Sequence, residues 1–286
     1  MRISIACLTA SLLIAATLPA ADKSQSAGNL YRHGDYTAAV NILRQAPQDA
    51  ANLELLGQCY FMLGDFKKST EVLEKASILA PADSMTQTWL GRAWGRRAER
   101  AFPLMAIGYA TKAREAFERA VRTDPGNTEA LGDLFDFYLE APKILGGGLN
   151  KAEAMLPDYE KHDPLGYYIA TAKIAETKQD FATAERNLRH AVELAPRRLS
   201  VVLALAQFLE RRGRHEDAAK IFRQATSVAP DSPRVVFARA SSLIQGHRNV
   251  TQARELLIKY LAANNLTPED PPRWEARQLL RKAEGS

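Results

Sequence analysis

Cysteine is scarce. The 286-residue chain has two, Cys7 and Cys59, and Cys7 lies in an apolar N-terminal run that reads as removable. One remaining thiol cannot pair internally, so a disulfide framework is excluded. Cys59 falls within a helical pattern and reads as a small buried hydrophobe. The five histidines, His33, His162, His190, His215 and His247, are scattered, and no two have metal-ligand spacing with a carboxylate partner, so no metal site is expected. No nucleophile elbow and no phosphate-loop spacing occurs, and Glu210, Glu216 and Asp217 fall at helix ends, so no catalytic residue is assigned. No Lys/Arg run dominates the formal net charge of +5 and pI near 9.2, which reads as a solvated surface. After residue 21 no stretch reaches the roughly 20 apolar residues of a membrane span. With 46% apolar and 25% charged residues the chain can still bury a core, so disorder is excluded.

The N-terminus stands apart. Met1-Arg2 is a short basic start, Ile3 to Leu18 is almost wholly apolar or small, and Pro19-Ala20-Ala21 precedes the polar Asp22-Lys23-Ser24-Gln25. This predicts a secretory signal peptide over 1–21, cut after Ala20 or Ala21, with an uncleaved anchor as the alternative. The short signal and the lack of a disulfide pair point to a bacterial periplasm or cell envelope.

Residues 22–286 are organised by one recurring unit, clearest at Val201 to Pro230. A helix from about Leu199 to Arg212 is followed by Gly213, a second helix from about Glu216 to Val228, and Pro230. Small residues at Ala206, Ala218 and Ala225 let two helices approach, and Leu205, Leu209, Phe222 and Val228 fill the grooves beside them. Ala206, Gly213, Ala218, Phe222, Ala225 and Pro230 are spaced as in the 34-residue tetratricopeptide repeat, which this unit resembles. The pattern recurs at Leu56-Gly57 to Pro81 and Tyr168 to Pro196, and more loosely elsewhere. Pro81, Pro125, Pro164, Pro196 and Pro230 are 44, 39, 32 and 34 residues apart, and the long intervals mark two enlarged turns. In the third repeat Gly91 and Ala113 are 22 apart where Ala206 and Ala218 are 12 apart, so about ten residues are inserted, lengthening both helices. In the fourth, Asn150 is expected to cap a second helix from Lys151 to Tyr159. The resemblance implies an all-α, right-handed superhelical solenoid of antiparallel helix pairs, about seven repeats without β-strands. A C-terminal helix, Trp274 to Lys282, is expected to cover the last repeat with Trp274, Ala276, Leu279 and Leu280.

The resemblance also implies a non-enzymatic scaffold without cofactor, binding a protein partner, a peptide or a helix, in a concave face lined by first helices. Carried over by position, the contact residues are Gln58, Phe61, Arg92, Asp136, Lys173, Gln207 and Phe237. Gly146-Gly147-Gly148, ahead of Asn150-Lys151, offers a second reading, a small-ligand or anion site on backbone N–H groups, against a wide turn. Self-assembly of two copies through the end caps is a third. Arg92, Arg96, Arg97, Arg100, Lys112 and Arg114 lie near Trp89 and Trp94, a mixture that can stack on nucleic acid. Both tryptophans fit packing positions and export argues against that role, so no nucleic acid is expected.

Overall fold

A computed structural model describes residues 20–284, so the expected signal peptide lies almost wholly outside the described residues. The first two helix pairs are α1 (Ala20–Arg32) with α2 (Tyr36–Leu43) and α3 (Ala50–Leu63) with α4 (Phe66–Leu79). Next come α5 (Ser84–Glu99) with α6 (Pro103–Thr123), then α7 (Thr128–Glu140) with α8 (Leu149–Ala154) and α9 (Leu156–His162). The series continues with α10 (Pro164–Thr177) and α11 (Phe181–Leu194), then α12 (Leu199–Arg211) and α13 (His215–Val228). It ends with α14 (Pro233–Gln245), α15 (Val250–Ala262) and a lone α16 (Arg273–Glu284). No strand occurs among the described residues. The boundaries follow local chemistry. Asp35, Asp49, Asp65, Asp83, Asp163 and Asp180 each accept a backbone N–H at a helix start that would otherwise lack a partner. Gly64 stops α3 in the left-handed region, at φ 81°.

Each pair is held by small residues facing large ones. A side chain on Gly57 would collide with Leu73, and one on Gly91 with Phe117. Ser69, standing where an alanine is expected, donates its hydroxyl to the Gly57 carbonyl at 2.8 Å and so satisfies itself inside the pair. Ala206 and Ala218 are fully buried, as the repeat spacing requires. Cys59 is also buried, and burial pushes its thiol up to about 12, so the inert reading holds.

The two enlarged turns resolve differently. The third repeat lengthens its helices, to 16 residues in α5 and 21 in α6, as the insertion predicts. In the fourth, a single helix from Lys151 to Tyr159 does not form. The chain breaks at Met155 into α8 and α9, because Pro157 has no N–H for the ladder and its ring clashes with the preceding turn. Asn150 lies inside α8, and Gly148 takes the capping position.

The C-terminal segment is the main departure from expectation. Ala276, Leu279 and Leu280 do pack on the last repeat, beside Leu257 and Tyr260. Trp274 does not. It lies against Phe61 and Phe66 with ring centroids 6.2 and 5.1 Å away, and its Nε1–H donates to the Phe61 carbonyl at 3.1 Å. Gly64 lies directly under the indole, and Arg96 and Arg100 stack over it at 5.2 and 5.4 Å. Further along, Leu266 abuts Gly34, in the turn of the first repeat. The solenoid therefore closes: the segment after the seventh repeat docks on the first two. The physical reason is aromatic burial. Phe61 and Phe66 both meet the indole edge to face, and Pro271-Pro272 start α16 at this seam.

Candidate interaction face

The first helices, expected to line the concave face, are tied together by ion pairs from one to the next. Arg92 on α5 places Nε 2.5 Å from Asp133 and Nη2 3.0 Å from Glu129, both on α7. Asp136 on α7 meets Lys173 on α10 at 2.6 Å. Glu176 on α10 takes a two-pronged contact from Arg211 on α12, each bond 2.9 Å. Glu210 on α12 accepts from His215 at 2.7 Å and from Arg248, just after α14, at 3.4 Å. Two-pronged arginine contacts and partly desolvated pairs are stronger than isolated surface pairs, so this ladder stiffens the face. Burial pushes the Asp133 carboxyl up to about 6 even though Arg92 opposes it. For Arg92, burial is outweighed by Asp133 and Glu129, which hold it charged.

At the N-terminal end of the face a further carboxyl, Glu54 on α3, is partly buried. Burial, and then the neighbouring Asp83 carboxylate, push Glu54 up to about 7. Thr86 and Gln58, donating to it at 2.6 and 2.8 Å, oppose that shift. Near the seam a cavity of about 430 Å³ lies between the first-repeat turn and the C-terminal segment, lined by His33, Asp35, Met62, Arg273 and Arg277 among others.

The seven residues carried over by position have unequal surroundings. Gln58 is buried and engaged with Glu54, and Phe61 lies beneath Trp274. Phe237 is buried against Tyr260 at 5.2 Å. Arg92, Asp136 and Lys173 are rungs of the ladder. Gln207 is half-buried on α12, with no side-chain partner among the described residues. Sequence reasoning missed Glu129 and Asp133, whereas Glu176 and Glu210 fall at the family contact positions of their repeats. The signal for the missed pair was its spacing, since residues three or four apart on a helix share one face.

Gly146 to Gly148 are placed as a turn. Their three N–H groups donate to Lys143, Pro142 and Tyr138 carbonyls at 2.9, 3.3 and 2.7 Å, which leaves none for an anion. Gly146 and Gly148 adopt φ of 88° and 145°, and a side chain on Gly147 would collide with the Ala141 carbonyl. Trp274, in the C-terminal end cap, is buried on its own chain. No group of His, Cys, Asp and Glu able to hold a metal occurs among the described residues, and no described helix is long and apolar enough to cross a membrane.

Comparison with known proteins agrees with this architecture. The tetratricopeptide repeat family matches residues 30–88 and 177–241. These two segments match tetratricopeptide repeats. The stretch between the two matches holds both enlarged turns. The BBSome complex member BBS4 of Bos taurus is 29% identical over 166 residues, 56% of this chain, and the chain spans only 29% of that relative's length. A tetratricopeptide repeat protein of Parabacteroides merdae covers 93% of this chain and 98% of its own at 13% identity, with a TM-score of 0.59. A thermophilic repeat protein of Thermus thermophilus covers 71% of this chain and 100% of its own at 21% identity and 0.53. A chain of the APC/C hetero-tetramer Cut9-Hcn1 covers 91% of this chain and 48% of its own at 16% identity and 0.52. At these identities the solved structures show the fold alone. Repeats of this kind generally mediate contacts between proteins, and the family is typically non-enzymatic.

Proposed function

We propose that this protein is an exported scaffold of a bacterial periplasm or cell envelope, which holds a partner peptide or helix on its first-helix face. One observation carries the reading: successive first helices are bridged by the ion-pair ladder from Arg92 to Arg248, so the face is a preorganised platform. Preorganisation lowers the ordering cost that binding must overcome. The relatives' names agree in kind, since one is a member of the BBSome complex and another a part of a hetero-tetramer. The face is open for docking around α10 and α12, where Gln207 lies, and is covered near α3 by Trp274. Export rests on the sequence of residues 1–21, and the mature chain is predicted to begin at Ala21 or Asp22 by intact mass.

Arg92 is largely buried against Asp133 and Glu129, so removing it would confound binding with folding. The test is a swap, Asp136→Lys with Lys173→Asp, which keeps the pair and inverts its pattern, together with Gln207→Arg. Partner copurification should fall in both while the melting temperature stays within a few degrees of the parent, since a surface pair contributes little to stability. Undiminished copurification in both would remove the face from the account.

A further inference from the structure

The closing seam leaves a cavity that neither the repeat cores nor the ladder uses. Its volume, about 430 Å³, falls in the range of small-molecule sites. The two ends of the chain build it together. The first-repeat turn around Tyr36, the end of α3 and the start of α16 each give part of the wall. Leu266 on Gly34 joins the turn to the C-terminal segment. Part of the lining is apolar: Met62, Leu266 and Trp274 are buried, and Leu63 beside them stays 43% exposed, so apolar surface is left uncovered there.

The charges select the occupant. Arg273 and Arg277 are four apart on α16, so they share one face and repel each other. Neither is paired with a carboxylate among the described residues. Arg273 gives one N–H to the Ala263 carbonyl at 2.7 Å, and Arg277 has no hydrogen bond or ion pair there. Asp35, the one carboxylate among the described lining residues, is engaged in capping α2, where it accepts the Ala38 N–H at 3.1 Å. Tyr36 is 7% exposed, and its hydroxyl is buried with no hydrogen-bond partner among the described residues. Burial holds that phenol well above its usual range, so it stays a neutral donor. The unpartnered charges and the buried hydroxyl are all donors, and the site calls for an acceptor. A bare inorganic anion would leave the apolar lining against water. We propose that the seam cavity binds a small organic acid, a carboxylate on an apolar body. The carboxylate lies between Arg273 and Arg277, and the body lies against Met62, Leu63 and Trp274. Such a ligand touches both ends of the chain, so its binding tightens the closure.

The test titrates the full chain with three probes in a calorimeter: octanoate, 1-octanol, which has the same body without the charge, and acetate, which has the charge without the body. Octanoate should bind about tenfold or more tightly than either of the others. It should slow hydrogen exchange at residues 34–37 and in α16 and leave α10 to α13 unchanged. Arg277→Gln should weaken octanoate about tenfold, and Arg277→Lys should recover part of that loss, while the affinity for 1-octanol moves in neither. Arg277 is exposed and unpaired, so both variants should melt with the parent. No octanoate binding, equal affinity for octanoate and 1-octanol, or an unchanged octanoate affinity in Arg277→Gln would overturn the proposal. So would protection spread evenly over every repeat, which would assign octanoate to general adsorption on the surface.

Discussion

Two buried contacts set the most specific expectations for single residues. The Gly57–Leu73 approach leaves no room for a Cβ, so Gly57→Ala, like Ala218→Leu, should cost about 1–3 kcal/mol by overpacking, read in urea melts. Unchanged stability in both would mean that the helix register is wrong. Glu54 gives a pH test. Its carboxyl is ordinary near 4.5 when unfolded and is pushed up to about 7 when folded, so the folded state binds the extra proton between those values. Stability from this group is therefore present at low pH and lost as pH rises through that window. Glu54→Gln keeps the neutral shape and removes the loss. Its melting temperature relative to the parent should rise from about pH 5 to about pH 8, and parallel curves at both would contradict the assignment. The small-residue positions were legible in the sequence because a close helix approach admits few residue types. The raised Glu54 carboxyl was not, because it needs burial and Asp83 of one repeat beside Glu54 of the previous one.

Helix ends and helix pairs follow local signals, which is why most of them could be read in advance. Aspartates at starts, Gly64 and Gly213 at turns, and prolines near boundaries all act within a few residues. The break at Met155 was legible in principle from Pro157, and the repeat pattern masked it. Helix α16 is a different case. Its sequence shows that it is amphipathic and follows the last repeat, yet Trp274 finds its site more than two hundred residues back, at Phe61. No periodicity encodes that contact. Trp274→Ala should remove the ring stack and the Phe61 hydrogen bond, a change that costs about 3–5 kcal/mol for a buried tryptophan. Hydrogen exchange should then speed up in α16 and at the α3–α4 turn while α10 to α13 stay protected. Equal protection throughout would show that the seam contributes nothing.

For the whole molecule, closure and the ladder together define what the chain can offer. On the proposed reading, docking of the C-terminal segment on the first two repeats leaves the first-helix face of the central and later repeats for a partner. The candidate face was legible only in part. The family positions led to Arg92, Asp136, Lys173 and Gln207, but the sequence did not show that the first three are engaged with neighbouring helices. Pairing between successive repeats depends on side-chain reach across a superhelix, which spacing within one repeat does not report. Gln207 is the cleanest probe that remains. A photoreactive side chain placed there, compared with one at the exposed Arg223 on the second helix of the same repeat, tests the scaffold directly in its native compartment. The account predicts a defined heterologous crosslink from position 207 and none of the same size from 223. Crosslinks from 223 alone, or only between copies of this chain, would contradict it.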